Sequence, residues 1–149
     1  MSKTITVGIS DLNIAKAPDI LVTYALGSCV GICLYDPMVK LAGLSHIMLP
    51  SSNLNNDPKQ AYRFADTAIV LLVKKMEMAG ARSARMKAKI AGGAQMFAAI
   101  TNSSISNIGQ RNIAAVKDDT GKNYGRTLYF NAADGTMRIK SVNRGEWVW

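Results

Sequence analysis

A cysteine and a histidine within one apolar stretch of the sequence could together perform nucleophilic chemistry. Cys29 follows a Gly-Ser pair, which can turn the chain sharply and leave a side chain exposed at the turn. His46 is the only histidine among the 149 residues, so any imidazole base must be this side chain. Cysteine reacts as the thiolate, and a nearby imidazole can remove the thiol proton. The stretch 22–50 is therefore the first candidate for an active site.

Two further features of this stretch fit such a site. A third polar group usually fixes the orientation and tautomer of the base. Thr23 is the candidate, because it lies on the strand predicted to lead into the Cys29 turn. Backbone N–H groups around Gly27 and Ser28 could hold a developing oxyanion or contact the substrate. The predicted site thus has Cys29 as nucleophile, His46 as base and Thr23 as the orienting group.

Each of these side chains also has a purely structural interpretation. Cys29 could be a buried, inert thiol, His46 a histidine satisfied near a strand end, and Thr23 an ordinary strand threonine. Cys33 lies in the middle of a predicted strand, and we assign it to the core. Residue types and spacing alone leave both interpretations open.

Other kinds of site have little support in the sequence. One histidine and two cysteines do not make a convincing zinc site, so we expect no metal. The sequence contains no Walker loop and no G-x-G-x-x-G segment, so we expect no nucleotide cofactor. The glycine pair in Ala91-Gly92-Gly93-Ala94 could cradle an anion, but a packing turn is the simpler interpretation.

Composition narrows the class of protein. A hydrophobic content of 48% in 149 residues fits one compact domain over residues 1–149. No apolar run is long enough to span a membrane, no signal peptide is recognisable, and two cysteines make no disulfide framework. We therefore expect no membrane insertion and a cytoplasmic location. The net charge of +8 would attract acidic partners, but the cations are scattered and lack the aromatic pattern of nucleic-acid modules.

The pattern of apolar residues predicts mostly strands. The antiparallel pair 29–35 and 41–48 is the centre of the prediction, because its first run is continuously apolar. In 84–91, small or apolar residues alternate with Arg85, Lys87 and Lys89, which predicts a half-buried strand with three outward cations. Further strands are predicted at 4–9, within 10–18, at 20–24, and in a final hairpin of 127–130 and 137–140.

Two helices are predicted in addition to a short one over 95–100. Asp57 before Pro58 is typical of a helix start, and apolar residues at three- and four-residue steps predict a helix over 59–79. A second helix is predicted over 107–116. The sum is a mixed α/β domain, mostly antiparallel, with one long helix.

Six segments, in this order and approximate spacing, make the chain resemble the CheD family of chemotaxis proteins. They are LGSCV at 26–30, SHIMLP at 45–50, ADTA at 65–68, KIAGGAQMF at 89–97, NIGQRN at 107–112 and DTG at 119–121. Each segment alone is weak, whereas six in order are a strong signal. The resemblance implies a single-domain, three-layer α/β/α sandwich with a mostly antiparallel mixed sheet, similar to toxin-type cysteine deamidases.

The resemblance also implies an activity and partners. It implies a chemoreceptor glutamine deamidase, which converts receptor glutamines to glutamates and can act as an esterase on methylated glutamates. In such proteins the matching cysteine, histidine and threonine form the catalytic triad, here Cys29, His46 and Thr23. The implied partners are methyl-accepting chemotaxis receptors and a CheC-type phosphatase of CheY-phosphate. The alternatives are a non-catalytic regulator of that phosphatase and a cysteine protease.

The chain departs from the family pattern at one junction. Family members continue the helix after the Asn-Ile-Gly segment and add an extended apolar segment before Asp-Thr-Gly. Here Val116-Lys117 runs directly into Asp118-Asp119-Thr120. The junction is far in sequence from the predicted triad, so the assignment of the triad is unchanged.

Overall fold

A computed structural model of the chain describes residues 2–24, 26, 29–48, 65–92, 113–116, 126–141 and 145–148. These ranges contain one α-helix, α1 (Ala65–Met78), which follows the fifth strand. They also contain the strands β1 (Thr4–Thr6), β2 (Asp11–Lys16), β3 (Ile20–Thr23), β4 (Val30–Asp36), β5 (Leu41–Ile47), β6 (Lys87–Gly92), β7 (Ile113–Val116), β8 (Arg126–Asn131), β9 (Met137–Ser141) and β10 (Gly145–Val148). Among the described residues, no helix has the length and apolar character needed to cross a membrane.

The strands form two five-stranded sheets. Sheet 1 has the order β1-β3-β8-β9-β10, and sheet 2 has the order β2-β5-β4-β6-β7. The pairs β1–β3 and β6–β7 are parallel, and the other pairs are antiparallel. The mixed α/β class with mostly antiparallel pairing is confirmed. In the described part of the chain, the three layers are α1, sheet 2 and sheet 1.

Strand β4 lies at the centre of sheet 2 and is buried along its whole length, as its continuous apolar run predicted. Successive side chains of a strand point to opposite faces, so β4 supplies two cores. Ile32 and Leu34 pack in the cluster that includes Leu72 of α1, whereas Cys33 and Tyr35 pack in the cluster between the two sheets. The Tyr35 hydroxyl also donates to the Ala132 carbonyl at 2.9 Å, which ties sheet 2 to the β8–β9 hairpin.

At Gly43 of β5, α1 approaches sheet 2 closely. A Cβ atom at this position would lie 2.6 Å from Met76 Sδ and 2.9 Å from Leu72 Cδ1. The helix therefore packs directly on the strand backbone, and only a residue without a side chain leaves room for it. Residues 59–64 of the predicted helix lie outside the described residues.

The prediction of a helix over 107–116 is wrong for its last four residues. Ile113–Val116 form β7, which pairs in parallel with β6 at the edge of sheet 2. Two of these residues, Ile113 and Val116, are β-branched and favour extended backbone. Pairing with β6 also satisfies backbone groups at the strand edge, and this tertiary contact overrides the local helical pattern. Residues 107–112 and the short helix predicted over 95–100 lie outside the described residues.

The prediction of three outward cations in 84–91 is also wrong. Arg85 lies in a short 3₁₀ turn, Ser83–Arg85, and its guanidinium binds the buried Asp36 carboxylate at 2.8 Å. Lys89 is half-buried and donates from Nζ to the Gly135 carbonyl at 2.8 Å. Only Lys87 of the three is exposed. Both side chains turn toward the protein because each binds an acceptor on another element: Arg85 binds a carboxylate, and Lys89 binds a backbone carbonyl.

Candidate active site

Two of the predicted site residues meet between the sheets. Thr23 ends β3 in sheet 1, and His46 lies near the end of β5 in sheet 2. Both side chains are fully buried. Thr23 Oγ1 lies 2.7 Å from His46 Nδ1, which is hydrogen-bonding distance. The structure thus brings together two residues that belong to different sheets.

The surroundings of Thr23 fix the tautomer of His46. The Thr23 hydroxyl donates its one proton to the Val7 carbonyl at 2.7 Å. Oγ1 must therefore accept from His46, so the imidazole carries a proton on Nδ1. In the neutral ring, Nε2 then keeps its lone pair. Nε2 is buried and has no hydrogen-bond partner within the described ranges, which leaves it available to take a proton.

Backbone groups of the segment Val7–Ser10 hold both residues in place. Val7 N–H donates to the Val22 carbonyl at 2.8 Å, next to Thr23. Ser10 N–H donates to the carbonyl of His46 itself at 2.9 Å. Neither contribution is predictable from the sequence, because backbone donors and acceptors leave no signature in residue type. The left-handed φ of Ser10, 58°, likewise has no signal in a serine.

Cys29 lies immediately before β4 and is half-buried. It packs against the core cluster between the sheets, so its side chain is on the same face of sheet 2 as His46. Gly31 is paired directly with His46, and Cys29 is two residues before Gly31. Diagonal neighbours of this kind lie about 7–8 Å apart across an antiparallel pair.

Gly31 lies opposite His46, and two leucine side chains occupy the space that its missing side chain leaves. A Cβ at Gly31 would lie 3.1 Å from Leu128 Cδ1 and 3.2 Å from Leu26 Cδ1, so little other space exists there. Gly27 and Ser28, predicted to contact the substrate or its oxyanion, lie outside the described residues.

Burial shifts the pKa values of Cys29 and His46 in opposite directions. It raises the pKa of the Cys29 thiol above its usual value and lowers the pKa of His46 below its usual value. At neutral pH both groups are therefore uncharged, a thiol and an imidazole. Such a pair can react if the imidazole takes the thiol proton as the sulfur attacks.

The second cysteine has a different environment. Cys33 is fully buried in the core between the sheets, and burial raises its pKa far above the usual range. The nearby Lys89 cation opposes this shift but does not cancel it. Cys33 matches the prediction of a core thiol. Within the described ranges, no three His, Cys, Asp or Glu side chains lie together as a metal centre would require.

The chain is similar to known proteins along nearly its whole length. Residues 48–141 match the family model described as CheD chemotactic sensory transduction. A protein of Syntrophomonas wolfei subsp. wolfei named "Probable chemoreceptor glutamine deamidase CheD" is 48% identical, with 98% of each chain covered. A protein of the same name from Caldanaerobacter subterraneus subsp. tengcongensis is 47% identical, covering 97% of this chain and 96% of the relative.

The first of these alignments is longer than this chain. It spans 158 positions, whereas this chain has 149 residues, so the relative has at least nine positions without a counterpart here. The Lys117–Asp118 junction lies outside the described residues. Among solved structures, the C-terminal domain of CNFy from Yersinia pseudotuberculosis is 12% identical with a TM-score of 0.47, covering 99% of this chain and 60% of that chain.

Proposed function

The chain belongs to the CheD family, and we propose from this premise that it is a chemoreceptor glutamine deamidase. Its substrates would be glutamine side chains of methyl-accepting chemotaxis receptors, which it hydrolyses to glutamate with release of ammonia. The names of relatives that are 44–48% identical over nearly the full chain support this activity. We propose Cys29, His46 and Thr23 as its catalytic triad.

One observation carries the assignment of the triad. Thr23 Oγ1 donates to Val7 and accepts from His46 Nδ1, both at 2.7 Å, so Nε2 is the basic nitrogen of a buried, neutral imidazole. A base held in one tautomer and aimed between the sheets is what a cysteine hydrolase requires. Cys29 packs on the same face of sheet 2, one diagonal step away in register.

The first half of the reaction forms a thioester. His46 Nε2 takes the proton from Cys29 Sγ as the sulfur attacks the side-chain carbonyl carbon of the substrate glutamine. The protonated imidazole then donates that proton to the amide nitrogen, the carbon–nitrogen bond breaks, and ammonia leaves. The Nδ1–H bond to Thr23 stabilises the imidazolium that exists between these two transfers.

The second half of the reaction is hydrolysis. His46 Nε2 takes a proton from water, whose oxygen attacks the thioester carbonyl carbon. The carbon–sulfur bond breaks, Cys29 regains its proton, and glutamate is released. In both halves, backbone N–H groups around Gly27 and Ser28 would hold the oxyanion. The same steps, with methanol as the leaving group, would hydrolyse a glutamate methyl ester.

The activity can be tested directly with the cytoplasmic fragment of a chemoreceptor. The protein is incubated with the fragment in water enriched in heavy oxygen, and tryptic peptides are analysed by mass spectrometry. We expect selected glutamines to become glutamates that carry one heavy oxygen, because water supplies the new carboxylate oxygen. Folded protein that leaves every glutamine unchanged would contradict the proposal.

The partner implied by the resemblance, a CheC-type phosphatase, is part of the proposal. Family membership supports it. If the protein only regulated that phosphatase, Cys29→Ala would stimulate the phosphatase as the parent does, and the parent would deamidate nothing. We also propose that residues 1–149 act as one domain in the cytoplasm, where both cysteines remain thiols.

A further inference from the structure

Two non-glycine residues have a positive φ in the described part of the chain, Ser10 at 58° and Lys40 at 51°. Serine and lysine rarely adopt this region, because the Cβ atom crowds the backbone there. Both residues flank the β2–β5 pair, at opposite ends. Ser10 lies at the end that carries His46, whereas Lys40 lies in the β4–β5 turn. Of the two, Ser10 is therefore the one beside the proposed site.

Ser10 is the first residue of a bulge opposite His46. Its N–H donates to the His46 carbonyl at 2.9 Å, and the next residue, Asp11, is the register partner of His46. Two consecutive residues at the start of β2 thus face one residue of β5, with the first in the left-handed region, as in a β-bulge. Bulges bend a strand and re-aim the side chains beside them. The conformation of Ser10 therefore determines where the backbone of His46 is held.

The segment 7–10, which leads into this bulge, also binds Thr23. It connects β1 of sheet 1 to β2 of sheet 2. The Val7 carbonyl accepts from Thr23 Oγ1 at 2.7 Å, and Val7 N–H donates to the Val22 carbonyl at 2.8 Å. The segment thus binds Thr23 in sheet 1 at its first residue and His46 in sheet 2 at its last. The 2.7 Å distance between Thr23 Oγ1 and His46 Nδ1 therefore depends on the conformation of this segment.

We propose that Ser10 is a positioning residue, whose left-handed conformation holds His46 within hydrogen-bonding distance of Thr23. This inference rests on the proposed function, in which that hydrogen bond keeps His46 Nε2 basic. Ser10 acts through the backbone of His46 and takes no part in proton transfer or attack. A residue that disfavours a positive φ would move the N–H away from the carbonyl and lengthen the Thr23–His46 distance. The imidazole could then adopt either tautomer.

The test observes the imidazole directly, because His46 is the only histidine in the 149 residues. Nitrogen NMR of the ring distinguishes a proton on Nδ1 from a proton on Nε2. At neutral pH the parent should show the Nδ1–H tautomer. Ser10→Val should show a mixture of both tautomers, because a β-branched residue strongly disfavours a positive φ. Its kcat for the receptor fragment should fall about tenfold or more, as for the loss of one hydrogen bond.

Two further variants separate positioning from stability. Ser10→Gly keeps the N–H and adopts a positive φ without strain, so it should keep the parent's tautomer and most of its rate. The matched control is Lys40→Val, which places the same strained residue at the far end of the β2–β5 pair. There the Lys40 carbonyl accepts from Ala17 N–H at 3.1 Å. Lys40→Val should lower Tm as Ser10→Val does, but it should leave the tautomer and kcat unchanged.

A folded Ser10→Val variant with the parent's tautomer and kcat would overturn the inference, as would an equal change in Lys40→Val. If Ser10→Val does not fold, Ser10→Ala and Lys40→Ala provide the same comparison, because alanine is also strained at a positive φ but carries no β-branch. A parent whose Nδ1–H tautomer is lost in Ser10→Val, but which converts no glutamine, would leave Ser10 as the positioning residue and reject the deamidase proposal.

Discussion

At the residue scale, the hydroxyl of Thr23 decides which nitrogen of His46 carries the proton. Its own proton goes to the Val7 carbonyl, so it accepts from Nδ1 and leaves Nε2 basic. A carboxylate in the same place would stabilise the imidazolium by charge, whereas a neutral threonine provides a dipole and a fixed orientation. The base is therefore oriented strongly without a large increase in its pKa.

The first prediction concerns pH. Burial lowers the pKa of His46, and only the neutral imidazole can accept the thiol proton. The value of kcat/KM should therefore fall on the acid side with an inflection below about 6.5, the usual pKa of histidine. A pH profile measured on a receptor fragment checks this. An inflection clearly above that value would show that the site favours the imidazolium.

The second prediction concerns Thr23. Thr23→Val removes the acceptor for Nδ1–H and leaves two buried groups, on His46 and Val7, without their partner. We expect kcat to fall about tenfold or more, the equivalent of one hydrogen bond of about 1.4 kcal/mol. Thr23→Ser keeps the hydroxyl and should restore most of the rate. Equal rates for the two variants would remove Thr23 from the triad.

At the scale of elements, the site depends on how two sheets and one helix are stacked. Thr23 lies in sheet 1 and His46 in sheet 2. Their 2.7 Å hydrogen bond therefore depends on the distance at which the two sheets pack. On the other face of sheet 2, α1 presses on β5, the strand that carries His46. Gly43 makes this contact possible, since its missing side chain admits Met76 and Leu72.

A third prediction follows from this packing. Gly43→Ala places a Cβ 2.6 Å from Met76 Sδ and 2.9 Å from Leu72 Cδ1, so these side chains or α1 itself must shift away from β5. The free energy of unfolding should decrease by about 1–3 kcal/mol, as is usual for overpacking of a core. Gly8→Ala is the control, because a Cβ there meets no atom within 4 Å. Urea denaturation compares the two, and equal stabilities would contradict this account of the helix contact.

The elements also show what the sequence could predict. The β4–β5 pair was predicted because one apolar run and one turn determine it locally, and it carries Cys29 and His46 on one face. The separation into two sheets was not predicted, since β1 pairs with β3 and skips β2, and β3 pairs with the distant strand β8. The strand β7 was not predicted because its pairing with β6 is parallel, and a parallel pair has no hairpin turn to mark it in the sequence. Strand β10 was missed as well.

At the scale of the whole molecule, one buried carboxylate links three parts of the fold. Asp36 ends β4 and accepts from the backbone of Met38 and Arg82 and from the Arg85 guanidinium. Burial alone would raise the pKa of this carboxyl, but these hydrogen bonds outweigh burial and lower it. The folded protein therefore favours the ionised form of Asp36 more than the unfolded chain does.

The fourth prediction is the pH dependence of stability that this carboxylate causes. Its pKa is lower in the folded state, so its contribution is fully present above the unfolded pKa of about 3.9 and is lost as pH falls through the folded pKa. Asp36→Asn should lower the free energy of unfolding by about 1–3 kcal/mol at neutral pH. It should also flatten the loss of stability in acid. The control is Asp19→Asn, because the Asp19 carboxylate accepts only an exposed hydrogen bond, from the backbone N–H of Lys3. If the free energy of unfolding changed with pH in parallel for the parent and Asp36→Asn, this role would be contradicted.

The most direct test of the proposed function compares the two cysteines in the receptor deamidation assay. Cys29 is half-buried immediately before β4, and Cys33 lies four residues further along the same face and is fully buried. Rates of glutamine conversion are measured for Cys29→Ala and Cys33→Ala, each with a thermal unfolding curve to confirm folding. We predict that Cys29→Ala abolishes conversion and that folded Cys33→Ala retains it. Conversion by Cys29→Ala at the parent rate would contradict the account.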